Sequence, residues 1–133
     1  MQRLQQLSAQ VEVVFKEIGE RYAQYQRDRG LFCRSGCGEC CLHPGIEATV
    51  LEMLPLAYQL IAEGKAESTL DALAQHDAPG CFFYSRHSED GKMGQCSVYQ
   101  NRPGICRLFG AAGYNGREGE VLLSVCKNIK ADY

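Results

Sequence analysis

The chain has 133 residues, room for one domain and too few for two of ordinary size. Its formal net charge is −2, from 14 basic and 16 acidic side chains, so neither the basic stripe of a nucleic-acid binder nor a cationic membrane-surface helix is expected. Hydrophobic residues make up 45%, yet no apolar run approaches the ~20 residues of a bilayer crossing, and Met1–Glu20 carries no apolar signal core. The expected compartment is therefore the reducing cytoplasm, where eight cysteines are expected as metal ligands rather than disulfides.

Residues 4–25 predict an amphipathic helix, with Leu4, Leu7, Val11, Val14, Ile18, Tyr22 and Tyr25 recurring at helical spacing and Gly30 as its stop. A Cys/Gly loop follows over 33–45, ending in Pro44-Gly45. A helix is expected from Glu47 to Ala62, its buried stripe being Val50, Leu51, Leu54, Ala57, Tyr58 and Ile61; Pro55 predicts a kink or restart. Ser68 and Thr69 can cap a third helix running to His76, closed by Pro79-Gly80.

Beyond Gly80 the pattern turns to short strands. Cys81–Tyr84 and Gln95–Tyr99 are expected to pair around the polar span Ser85–Gly94. Asn101 stands at an N-cap position, with Pro103 in the first turn of a short helix through Phe109. Gly110–Gly119 is expected as loop and Glu120–Val125 as a strand. The fold class is a small, mainly helical α+β domain: an N-terminal helix, 1–30, packs on a cysteine-cluster unit, 31–133, stapled by metal.

The chemistry lies in the cysteines. Cys33, Cys37, Cys40 and Cys41 fall within nine positions, and Cys81, Cys96, Cys106 and Cys126 follow. In Cys37-Gly38-Glu39-Cys40 the two-residue gap lets both sulfurs of a tight turn reach one metal. Adjacent side chains diverge in helix and strand, so Cys40 and Cys41 are expected either to serve different metals or to include one non-ligand. Two four-thiolate sites, or one site with supporting thiols, both remain open. Four thiolates leave a formal −2 on Zn²⁺ or on a [4Fe–4S]²⁺ core, which Arg34, Arg102 and Arg107 can offset by hydrogen bonding to sulfur. His43 is read as a loop residue before a ligand, and His76 and His87 need no function. No hydrolytic triad, phosphate loop or nucleotide fingerprint is present.

The string Cys33-x3-Cys37-Gly38-x-Cys40-Cys41, a later Cys81, then Cys96-x2-Tyr99-x2-Arg102-Pro103-x2-Cys106-Arg107 and a final Cys126 resembles the CxxCxxCC, or YkgJ-like, family of zinc- or iron-chelating cysteine-cluster proteins. One departure is the three-residue gap between Cys33 and Cys37, where the family name implies two. The resemblance implies metal binding through these cysteines, to zinc or an iron–sulfur cluster, and implies no reaction. No catalytic residue is assigned. The readings carried forward are a metal-binding module acting through a protein partner, an iron–sulfur oxidoreductase or electron-transfer protein, and a structural zinc domain; zinc, having no redox chemistry, is confined to the first and last.

Overall fold

A computed structural model describes residues 2–34, 36–42, 46–78, 80–108 and 111–132. The first helix, α1 (Gln2–Arg29), is longer than the periodic stretch that predicts it. It stops at Gly30, whose φ of 67° is the left-handed cap glycine supplies without strain, and the Gly30 N–H donates to Gln26 O at 2.7 Å. Its most buried apolar residue is Phe15, at 6% exposure, while Leu4 and Val14 of the expected stripe are 44% and 50% exposed. The reason is length: at ~1.5 Å per residue α1 extends ~42 Å. What packs against it is short: a 3₁₀ turn at Leu51–Met53, helix α2 (Leu54–Ala62) and helix α4 (Gly104–Leu108).

The expected Glu47–Ala62 helix begins only at the Leu51–Met53 turn, and α2 restarts with Pro55 in its first turn, where a missing N–H costs nothing. Leu56, 3% exposed, faces inward, whereas Val50, Leu51 and Ile61 are 83%, 47% and 58% exposed, so the apolar stripe expected there is rotated out of phase. Helix α3 (Ala66–Ala74) is preceded by Lys65 at the N-cap. Ser68 and Thr69 thus lie inside the helix rather than capping it, and the Ser68 hydroxyl donates to Lys65 O.

Strands β1 (Tyr84–Arg86) and β2 (Gly94–Cys96) form an antiparallel hairpin in the register Tyr84↔Cys96, Ser85↔Gln95, Arg86↔Gly94. The strands sit nearer the loop than predicted, leaving Cys81 in the turn before β1. Asn101 closes a 3₁₀ turn (Tyr99–Asn101) instead of capping α4, and its amide donates to the Gln59 side chain. The α4 N-terminus is met by Glu52, whose Oε1 accepts from Gly104 N at 2.9 Å. A second antiparallel hairpin, β3 (Ala111–Asn115) with β4 (Val121–Val125), replaces much of the expected 110–119 loop, and a terminal helix α5 (Lys127–Asp132), not predicted, buries Ile129 to 1% exposure. The fold is mainly helical α+β. Among the described residues no helix is long and apolar enough to cross a membrane. The expected positions of His43, Pro44-Gly45, Pro79 and Phe109 lie outside the described residues.

Candidate metal centre

The first cysteines are held by the β1–β2 hairpin. Gly38 N donates to Lys92 O at 2.8 Å and Gly94 N donates to Gly36 O at 2.9 Å, so Cys37 pairs with Met93 as a third, one-residue strand. The chain then turns sharply into a 3₁₀ turn, Glu39–Leu42, where Cys41 N donates to Gly38 O. Gly38 is dictated by proximity: a Cβ there would drive into the Tyr84 ring, whose hydroxyl is anchored on Gly91 O at 2.6 Å. On the far side Cys81 N donates to Cys41 O at 2.8 Å. Gly80 makes that approach possible, with φ at 91° and a Cβ position only 2.9 Å from Cys41 O.

Helix α5 closes the other flank. Arg34 makes a two-pronged ion pair with Asp132, at 2.8 and 2.9 Å. Asn128 Nδ2 reaches both Glu39 Oε2, at 3.0 Å, and Cys37 Sγ, at 3.5 Å. The Asn128 hydrogen bond, then Lys127 and Lys92, hold the Glu39 carboxyl below its ordinary range. Neither Asn128 nor Glu39 was legible as a site residue in the sequence, because nothing local predicts that α5 returns to the Cys37 loop.

The eight cysteines, all free thiols, share one electrostatic neighbourhood. Burial raises Cys33, and Cys126, Cys40 and Cys37 raise it further. Burial likewise raises Cys96 and Cys106, each of which also faces Cys81 and Cys40. Interaction with each other's side chain brings Cys40 down to about 6 and pushes Cys41 up. Both residues lie in the 3₁₀ turn Glu39–Leu42.

The three arginines differ in what they do. Arg102 lies over the Tyr99 ring at 3.6 Å, donates to Tyr99 O and Cys106 O at 3.1 Å each, and its charge favours the thiolates of Cys33, Cys40, Cys96 and Cys106. Arg107 turns toward α1, stacking over Phe15 at 4.2 Å while donating to Arg102 O and Gln100 O at 2.7 Å each. It buttresses the loop that carries Arg102. Arg34 is committed to Asp132. Side-chain nitrogen donation to a cysteine sulfur comes, among the described residues, from Asn128, a residue outside the expected set.

Among the described residues no three Cys, His, Asp or Glu side chains already converge at metal-binding distance. The donor set itself fits: soft thiolates suit Zn²⁺ and iron–sulfur cores, and a neighbouring amide N–H and guanidinium suit the negative charge such a centre carries. His76 stands beside the cluster rather than apart from it, sharing with Cys41, Cys81, Phe82, Tyr84 and Arg86 the wall of a cleft of about 130 Å³. His87 is engaged through its backbone, its N–H donating to Met93 O.

No curated protein and no solved structure gives a significant match to the chain. The model of one family, CxxCxxCC, described as a "putative zinc- or iron-chelating domain", matches residues 32–127, a span that takes in all eight cysteines. That match, over most of the chain, places the protein in the CxxCxxCC family.

Proposed function

We propose that this chain is a cytoplasmic metal-binding protein whose cysteine cluster holds zinc or an iron–sulfur centre. The observation that carries the reading is what the cysteine-bearing segments lack. Across 31–42 and 80–108 the fully buried described residues are three glycines, Gly38, Gly91 and Gly94. A hairpin and loops without buried apolar side chains have little hydrophobic free energy to hold them. Seven of the eight thiols nonetheless sit there, and Cys126 adjoins them. A bound cation would supply the cross-link and draw the thiolates together.

The chain's own residues divide that task. Cys33, Cys37, Cys40, Cys41, Cys81, Cys96, Cys106 and Cys126 donate sulfur, Asn128 donates its amide hydrogen to Cys37, and Arg102 offsets thiolate charge. Elemental analysis of the full chain purified without oxygen is the test. Stoichiometric zinc in a colourless sample, or iron with sulfide in a brown one, is expected; a reduced, folded sample containing neither overturns the reading.

A further inference from the structure

We propose that the outward face of α3, with Leu70 and Leu73 at its centre and Glu67 and Asp71 along one edge, docks a cationic amphipathic helix of a partner protein. Residues 46–78 contain no cysteine, so occupancy of this surface is independent of the metal-binding reading.

The helix itself asks for a cover. In water an isolated helix shorter than about 12–15 residues is marginal, and helices in proteins owe most of their stability to a packed apolar face. Helix α3 has 9 residues, none of them buried, and no side chain caps its first turn. It does carry a largely apolar stripe: Ala66, Thr69, Leu70 and Leu73 recur at the three- and four-residue spacing of one helix face. Ala66 and Thr69 are half-buried, with α2 alongside, whereas Leu70 and Leu73 are 66% and 40% exposed. Ile61, in the last turn of α2, is exposed as well. The larger side chains of the stripe are bare.

Charge selects the occupant. Residues 46–78 carry Glu47, Glu52, Glu63, Glu67, Asp71 and Asp77 against one basic residue, Lys65. The whole chain has 14 basic and 16 acidic side chains, so the rest of the molecule has a basic surplus and the negative charge collects here. Lys65 is engaged by Glu63, at 3.3 Å. Glu67 and Asp71, one turn apart beside Leu70, make no ion pair or side-chain hydrogen bond among the described residues. A two-fold pairing of two copies through this face would bring two acidic segments together. A partner helix with apolar anchors at i, i+3, i+4 and i+7 and lysine or arginine on its flanks meets both features, covering Leu70 and Leu73 while its cations face Glu67 and Asp71.

A labelled synthetic peptide with leucine at i, i+3, i+4 and i+7 and lysine elsewhere tests the surface on the full chain, and the same peptide with glutamate for lysine is the control. Affinity is read by fluorescence anisotropy and the site by amide chemical-shift mapping. The lysine peptide is expected to bind, to shift α3 and the last turn of α2, and to weaken as salt is raised; the glutamate peptide is expected not to bind. Leu70→Gln with Leu73→Gln, which keeps a good helix former at both exposed positions, is expected to weaken binding by more than about tenfold. Glu67→Gln with Asp71→Asn is expected to weaken it severalfold and to flatten its salt dependence. Absence of binding, shifts that map to another face, or unchanged affinity in the leucine variant, shown folded by circular dichroism, overturns the proposal. Should the leucine variant lose α3, wild-type affinity and salt dependence in the charge variant overturn it instead. Sedimentation without peptide tests the other occupant: a wild-type dimer that becomes monomeric in the leucine or the charge variant assigns the face to a second copy and overturns the proposal too.

Discussion

Asn128 Nδ2 stands 3.5 Å from Cys37 Sγ and 3.0 Å from Glu39 Oε2, so one amide on the terminal helix orients both a thiol and the acid that follows it by two residues. An N–H donated to a metal-bound sulfur stabilises the thiolate, and its loss typically weakens a metal site 10- to 100-fold. Asn128→Leu is expected to lower metal affinity by roughly that factor in a chelator competition. Unchanged affinity in a folded variant would show that the contact does not reach the metal.

Gly38 and Tyr84 are in a similarly tight relationship. Any Cβ at position 38 meets the ring that closes over the Cys37–Cys40 turn, and overpacking of that kind costs about 1–3 kcal/mol. Gly38→Ala is expected to lower the unfolding free energy measured in urea by that amount, and Tyr84→Leu in the same chain to recover part of it. A Gly38→Ala variant as stable as the wild type would mean that the ring moves aside without cost.

Helical phase and turn punctuation made much of this fold readable: α1, the restart at Pro55, the paired short strands and the strand ending at Val125 all follow from local pattern. The failures share a cause. Val50, Leu51 and Ile61 are apolar at helical spacing, but only one short helix face can be covered by α1, and tertiary contact selects Leu56. Ala111–Asn115 reads as loop because Gly113 and Asn115 are poor strand formers, and pairing with Val121–Val125 overrides them. The cysteines were legible by spacing. Their supports were not, since Asn128–Cys37 and Arg34–Asp132 join residues more than ninety positions apart, beyond the reach of any local pattern.

Phe15 is the one buried aromatic on α1 and forms the floor under Arg107. Phe15→Ala is expected to cost about 3–5 kcal/mol, as for aromatic truncations in cores. Because Arg107 donates to Arg102 O, the loss is expected to spread to the Tyr99–Cys106 loop, seen as faster amide exchange there than in α3. Exchange confined to α1 would indicate that Arg107 holds its loop unaided.

Glu52 joins two elements through one carboxylate. Its Oε2 accepts from Thr49 N and Thr49 Oγ1, at 2.8 Å each, and its Oε1 accepts from Gly104 N at 2.9 Å. The Thr49 backbone and hydroxyl, then Gly104, hold its folded pKa below the ordinary glutamate value. A depressed folded pKa means that the unfolded chain takes up its proton first as pH falls. The stabilisation is therefore complete well above the unfolded value of ~4.3 and is lost as pH drops through the lower, folded value. Glu52→Gln is expected to be less stable than wild type by on the order of 2 kcal/mol at pH 7, the scale of hydrogen bonds to a charged group. The two are expected to converge as pH falls below ~4. Urea titrations of both chains from pH 3 to pH 7 measure this directly, and a stability difference that stays constant across that range would assign the effect of the substitution to shape rather than to the Glu52 charge.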